Sequence, residues 1–363
     1  IDIKNDLEFL LNQIKIKALT GVDIDPVIRR DVSIMNRYFS SPFQKEKSSS
    51  NDSFTLLLSE EEVNQKTIEI SDSIKQIKTA LKSYREIPRE EVDEILNWIN
   101  TPYRKEDENI AVISGNAGMG KTVVVAQLYK KLEEKEIPVI CFKADYLSFD
   151  SSTEFEKEFK LSISLEDLIT QYVGDSKVGV ILIDQIDALS QTLSSNLKPL
   201  KVYDRLIRNL LRNPKFKVIV SCRVYDLKYD PIIATYKKKN EFKIQELNEE
   251  QVFNVLEESI GINKKSLSTG LLTLLQVPLH LATFLNVYDK DLDFNKIQSV
   301  QDLYYILWDN KIVNNKSLYR PSVDFRKVEQ LVFEIAEKMY KDQKINVSSM
   351  SFGAYSQELN YLK

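Results

Sequence analysis

The sequence predicts an α/β fold in which a mostly parallel sheet is flanked by helices and followed by an all-helical domain. Three observations predict it. From about residue 86, short apolar runs alternate with amphipathic helical segments, as in a parallel sheet covered by helices. Several of these runs are continuous rather than alternating, which suits strands buried on both faces. Beyond residue 246 the strand signals fade and helical spacing takes over.

Taken in order, residues 1–85 read as a mainly helical N-terminal region or linker. "DLEFLLNQIKI" and "DPVIRRDVSIMNRYF" have helical spacing, and the polar gap "QKEKSSSNDS" separates them from "EEEVNQKTIEISDSIKQIKTALKSY". No residue pattern there suggests chemistry. Residues 86–246 carry the sheet, with strands expected at Ile110–Ser114, Pro138–Phe142, Val178–Ile183, Lys217–Ser221 and Phe242–Gln245. Helices are expected near Lys121–Lys135, Leu165–Val173 and Leu200–Arg212. Residues 247–320 form a helical domain through "NEEQVFNVLEES", "KSLSTGLLTLLQ", "HLATFLNVY" and "VQDLYYILWDNKIV". Residues 321–363 begin another domain, in which Phe325, Val328, Leu331, Val332, Ile335 and Met339 share one helix face. No repeat with a period of 20 to 50 residues is visible.

At 363 residues, 43% hydrophobic and 29% charged, the chain has a globular composition with room for two or three domains. A net charge of −4 supplies no general field for nucleic acid or an anionic membrane. Cys141 and Cys222 lie in apolar strand-like runs and read as buried thiols, so a reducing, cytoplasmic location is expected. No run approaches the roughly 18 apolar residues of a membrane span, and the N-terminus lacks a signal-peptide pattern. The chain starts at Ile1 without a methionine and is read as part of something longer.

The chemistry begins at "GNAGMGKT", Gly115–Thr122, which joins the strand-like "IAVIS" to the helical "VVVAQLYKKL". Three of the nine glycines, Gly115, Gly118 and Gly120, fall within six residues. A match to this pattern arises by chance in roughly one chain of this length in a hundred. The physical need is an anion nest: backbone N–H groups of Asn116, Ala117, Gly118, Met119 and Gly120 must turn inward, where side chains would block the phosphates. The helix that follows, with Val123 in its first turn, points its positive end at them. Lys121 would neutralise the β- and γ-phosphates, and the Thr122 hydroxyl would ligate Mg²⁺.

Such a loop needs an acid to hold the metal, and "VGVILIDQIDAL" ends an apolar strand at Asp184. Asp187, three residues on, either caps a helix beginning at "ALSQ" or polarises the attacking water or holds metal-bound water. Position 185 is Gln where vigorous ATPase motors carry Glu, so slow or regulated turnover is expected. "KVIVSCRVYDL" is a further buried strand ending in Arg223, which either senses the γ-phosphate or pairs with an acid such as Asp226.

In this order the motifs resemble the STAND class of P-loop NTPases, the NACHT and NB-ARC switches, and more narrowly bacterial members from antiviral defence. "YREIPREEVDEILNWI" is similar to the family's lead-in segment, which places Ile87, Pro88 and Arg89 beside the adenine. "LLQVPLHLATFL" resembles the helical-domain motif whose proline, matched by Pro278, packs on the adenine of ADP; His280 sits two residues on. The resemblance covers residues 86–345 and implies an AAA+-like nucleotide-binding domain, a helical domain and a winged-helix domain starting near Pro321. It further implies ATP or ADP with Mg²⁺, self-association in the ATP state, and a sensed ligand such as a phage protein. Ala188 stands where the family often has an acid.

Two other classes share the loop. An origin-initiator type of DNA-engaging AAA+ ATPase would use a basic cluster, and Lys237–Lys239 in "YKKKNEFK" is the notable one; such a run also suits a solvated loop. Direct nucleic-acid binding is therefore not indicated. A small-molecule kinase would need an arginine-rich lid after the sheet, and the helical tail is arginine-poor. Arg205, Arg208 and Arg212 suit either arginine fingers across a subunit interface or the solvated face of a helix.

Overall fold

Five parallel strands in the order β2-β3-β4-β1-β5 organise the molecule. The computed structural model describes residues 58–81, 86–102, 109–190, 196–236, 240–262, 266–289, 292–309, 324–342 and 348–362. All of them belong to the unit Leu56–Lys363. The two helices expected before residue 57 and the Lys237–Lys239 cluster lie outside the described residues. Helices α1 (Glu60–Lys75) and α2 (Glu90–Ile99) precede β1 (Ile110–Ser114), and α3 (Lys121–Glu134) leads to β2 (Val139–Lys143). Helices α4 (Ser152–Glu158) and α5 (Leu165–Val173) lead to β3 (Gly179–Asp184), α6 (Lys198–Leu210) to β4 (Phe216–Cys222), and α7 (Val224–Tyr229) to β5 (Glu241–Lys243).

The alternation of side chains across the pleat divides the sheet core in two. Val112, Ile140, Phe142, Ile181, Ile183, Val218 and Val220 face α5 and α6, which contribute Leu168, Ile169, Leu206 and Ile207. Ala111, Ile113, Cys141, Val180, Leu182 and Ile219 face α2 and α3, which contribute Ile95, Val124 and Leu128. Every residue of β1, β2, β3 and β4 is buried, as the continuous apolar runs demand. The middle three expected strands shift by one residue at their ends, within the usual latitude of strand limits. The strand expected at Phe242–Gln245 stops at Lys243 because the Gln245 N–H donates instead to the Glu91 carboxylate at 2.9 Å.

Helix α1 belongs to this sheet, although the sequence offered no reason to couple residues 1–85 to it. Ile70 and Ile74 are buried in the two cores, and the Cys141 N–H of β2 donates to the Ser71 hydroxyl at 3.1 Å. Beyond the sheet come α8 (Glu249–Ile260), α9 (Thr269–Leu275), α10 (Pro278–Val287), α11 (Val300–Trp308), α12 (Phe325–Asp342) and α13 (Ser356–Leu362). Val252, Leu256, Leu271, Leu275, Leu281, Phe284 and Leu303 form a third core, which Ile87 joins. Helices α9 and α10 meet at a 111° bend. Among the described residues no single helix is long and apolar enough to cross a membrane. In α12 the expected face is seen, with Val328 and Leu331 buried.

Candidate nucleotide-binding site

The loop between β1 and α3 turns on two left-handed residues, Gly118 at φ 81° and Gly120 at φ 87°. Both positions need glycine: an L-residue is strained at these angles, and a Cβ on Gly118 would lie 3.0 Å from the Leu279 Cβ. Gly120 is the N-cap of α3, so the helix begins at Lys121 with its first amides directed at the loop. Lys121 Nζ donates to the carbonyls of Gly115 at 2.9 Å and Asn116 at 3.1 Å. Burial holds its pKa below the usual lysine value, opposed first by the Asp187 charge.

Parallel order places β4 between β1 and β3, so the tips of three strands converge beside the loop. Asp184, at the end of β3, is fully buried; its Oδ1 accepts from the Ser221 hydroxyl at 2.5 Å, and its Oδ2 has no hydrogen-bond partner. Burial pushes its pKa up, with the Ser221 and Thr122 hydroxyls pulling the other way. Asp187 lies inside the short 3₁₀ turn Ile186–Leu189 and caps no helix among the described residues; Gln191 of "ALSQ" lies outside them. The Oδ2 of Asp187 pairs with Arg223 Nε at 2.9 Å while its Oδ1 is buried without a partner. Burial raises this carboxyl too, opposed by Arg223 and then Lys121. Arg223 also pairs with Asp226 at 2.9 Å, which is the acid-pairing alternative, and it lines the cleft.

These groups line one cleft of about 490 Å³, a size suited to a small-molecule ligand. Its opposite wall is the start of α10. The Leu279 N–H donates to the Gly118 carbonyl at 3.1 Å, and Pro278 and Ala282 line the same space. Gly118, Gly120, Ala117, Lys121, Thr122, Val123, Gln185, Asp187, Arg223 and Pro278 are thus gathered. Asp184 sits behind them, bonded to the Ser221 hydroxyl that also accepts the Gln185 N–H at 2.8 Å.

Other expected residues are placed differently. Met119 turns its side chain into the sheet core, leaving its backbone to the loop. Ile87 is buried in the helical core, and its carbonyl accepts from Gln127 at 2.9 Å. Arg89 pairs with Glu91 at 3.0 Å and donates to the Gln245 carbonyl at 2.6 Å, tying the lead-in segment to the link between sheet and helical domain. The Pro88 carbonyl accepts from Gln251 of α8 at 3.2 Å in the same link. None of Ile87, Pro88 and Arg89 lines the cleft; Lys78 and Leu81, from the segment after α1, do so instead. His280 is half-buried, with Nδ1 3.0 Å from the Leu274 carbonyl and its ring edge-on to Tyr304. It ties α10 to the end of α9 and does not line the cleft. Arg205, Arg208 and Arg212 are exposed, and Arg208 pairs with Asp204 at 2.9 Å.

The loop fits a nucleotide phosphate, because the two left-handed glycines and the start of α3 create an amide-lined hollow. Asp184 and Thr122 fit a magnesium ion, because the buried Oδ2 lacks a partner and hard cations take oxygen ligands. Among the described residues no three His, Cys, Asp or Glu side chains converge, in keeping with a metal held by one carboxylate, a hydroxyl and phosphate oxygens.

Residues 104–221 match the family model of an AAA domain. A search of curated proteins finds no match. Among solved structures the chain is similar to a Walker-type ATPase of Pyrococcus abyssi, at TM-score 0.41 and 12% identity over 79% of this chain and 93% of that one. It is similar to AMPPCP-bound DnaA from Aquifex aeolicus, at TM-score 0.37 and 16% identity over 68% of this chain and 66% of that one. A HORMA:CdnC:Trip13 complex of E. coli MS115-1 gives 0.34 and 15% over 68% and 84%. The matched domain runs from before β1 to Ser221, so it takes in the loop, Asp184 and Asp187 and stops short of Arg223 and the α10 wall. Residues 110–222 fold as a parallel P-loop domain of the AAA type.

Proposed function

We propose that this protein is an ATP- and ADP-binding switch of the STAND kind, in which slow hydrolysis resets a clamp between the sheet and the helical domain. One observation carries the reading. The wall facing the phosphate loop is the Pro278 end of α10, bonded to the loop itself through Leu279 N–H and Gly118 C=O. A helical domain so attached is coupled to whatever occupies the loop, because phosphates that take up the loop N–H groups fix the direction of the Gly118 carbonyl to which Leu279 donates.

Within this reading the loop amides and Lys121 hold the phosphates, Lys121 leaving the Gly115 and Asn116 carbonyls to do so. Thr122 and Asp184 hold Mg²⁺, which supplies neutralisation of phosphate charge. Asp187 offers its unpartnered Oδ1 to a water as general base, while Arg223 fixes Oδ2 and favours the ionised carboxylate against the burial that raises it. Arg223 is held by Asp226 as well as by Asp187, and from that position would meet the γ-phosphate. Leu81, Pro278 and Ala282 provide the apolar surface for the base, and Lys78 stands at its rim. Self-association in the ATP state, a sensed ligand such as a phage protein, and a role in bacterial defence rest on the sequence resemblance.

Calorimetric titration with ADP and with ATP, together with small-angle scattering, tests the proposal. Both nucleotides bind, Lys121→Ala weakens binding by roughly 100-fold, and ADP gives a more compact particle than a non-hydrolysable ATP analogue. Failure of both nucleotides to bind, or identical particles with each, would overturn it.

A further inference from the structure

Gln185 has no part in holding phosphate in the scheme above, yet it is tied into the cleft at both its backbone and its side chain. Its backbone lies at φ 57° and ψ 43°, a left-handed conformation that few non-glycine residues adopt. Two hydrogen bonds keep it there. The Gln185 N–H donates to the Ser221 hydroxyl at 2.8 Å, and that hydroxyl donates to Asp184 Oδ1 at 2.5 Å. At the other end, the Gln185 amide Nε2 donates to Thr122 Oγ1 at 3.0 Å. A residue held in a strained backbone at a ligand cleft is a sign of function rather than of local preference.

Thr122 Oγ1 is the oxygen that would ligate the cation, and it already accepts a hydrogen bond from within the cleft. A hydroxyl has two lone pairs, and an amide proton resting on one of them carries partial positive charge that opposes a metal ion at the same oxygen. We infer that Gln185 is a latch on the cation site: its amide occupies the Thr122 hydroxyl until Mg²⁺ arrives with nucleotide and displaces it. This inference rests on the nucleotide-site reading and deepens it. The chain Thr122–Gln185–Ser221–Asp184 links α3, β3 and β4, so the displaced amide loosens the strained turn between the two acids. Gln185 is therefore a positioning residue that acts through Thr122. A Glu there, with no amide proton to donate, would leave the hydroxyl free.

The test is ATP binding by calorimetry across a series of Mg²⁺ concentrations and in EDTA. Gln185→Asn keeps a residue that tolerates left-handed backbone but shortens it beyond reach of Thr122. The Mg²⁺ midpoint for binding falls about fivefold in this variant, the worth of one neutral hydrogen bond, while affinity in EDTA stays within about twofold. A midpoint that is unchanged or raised overturns the latch. Wild-type protein that binds no nucleotide under any condition overturns the site reading and the latch together, whereas equal midpoints with intact binding sink the latch alone. A second measurement needs no ligand: melting temperatures of Gln185→Asn, Thr122→Val and the double variant. The double variant loses less than the sum of the single losses; additive losses refute a bond between the two side chains.

Discussion

The two walls of the cleft are built on opposite principles. On the sheet side, Lys121, Asp184 and Asp187 are all at most 9% exposed, and two carboxylate oxygens there lack partners. Buried charge without full compensation costs stability, so this wall is maintained against its own folding energetics. On the helical side the wall is Pro278, Leu279 and Ala282, joined to the loop through one backbone hydrogen bond, with Leu279 46% exposed. Nothing in that contact is charged. The difference teaches that the ligand's demand is written into the sheet wall as strain and unpaired polarity, whereas the helical wall is cheap to separate. A buried, charged wall faces an apolar, partly exposed one.

Four substitutions probe that contrast, starting with the largest effect. Asp187→Asn removes the base and lowers ATP turnover by about 10²- to 10⁴-fold with ADP affinity nearly unchanged, measured by phosphate release and calorimetry. Equal losses in both would mean that Asp187 serves binding instead. Lys121→Ala weakens nucleotide binding by roughly 100-fold, since a charged hydrogen bond to phosphate is worth about 3 kcal/mol. Gly118→Ala strains the loop and forces its Cβ against Leu279, costing about 1–2 kcal/mol, a drop of several degrees by calorimetry. Unaltered melting there would show that the helical wall yields without resistance.

The smallest effect has the opposite sign. Asp184→Asn raises the melting temperature of nucleotide-free protein by a few degrees, about 1 kcal/mol, while abolishing Mg²⁺-dependent binding. The direction follows from burial, which raises the folded-state pKa of Asp184 above its unfolded value. Between those two values the native state holds more protons than the unfolded one, so stability declines as pH rises through the window. Below the ordinary carboxylate range the contribution is fully present. The advantage of Asp184→Asn over wild type therefore widens from pH 4 upward and levels off once the folded-state carboxyl is ionised, as melting curves across pH will show.

How much of this was legible in the sequence differs between the same two walls. The loop, Thr122, Asp184 and the strand of Arg223 are local patterns: glycine spacing, an apolar run ending in an acid, an apolar run ending in an arginine. Four strands lie within one residue of their expected places, and the fifth ends two residues early at Lys243. Pairing across the fold is another matter. Arg89 precedes an acid by two residues, and only the packing of β5 shows that Glu91 and the Gln245 carbonyl claim it rather than a ligand. Lys78 and Leu81 reach the cleft because α1 lies on β2, a contact that no spacing in residues 58–81 reveals. Gln185 was noticed for what it is not, a Glu. Its bond to Thr122, 63 positions away in the chain, depends on a left-handed turn that a Gln does not advertise.

Helix α1 has a consequence for solubility. Strand β2 is an outer strand of the sheet, and its backbone donor at Cys141 is satisfied by Ser71. A chain shortened to begin at residue 86 would keep the phosphate loop, both acids and the helical lid, yet bare an apolar strand edge able to recruit the same edge of a second molecule. Such a fragment is expected to precipitate or to form β-linked oligomers unrelated to nucleotide. A piece of this protein that keeps the edge covered therefore has to include α1, and a self-association assay begun from one that lacks it would report on an exposed edge.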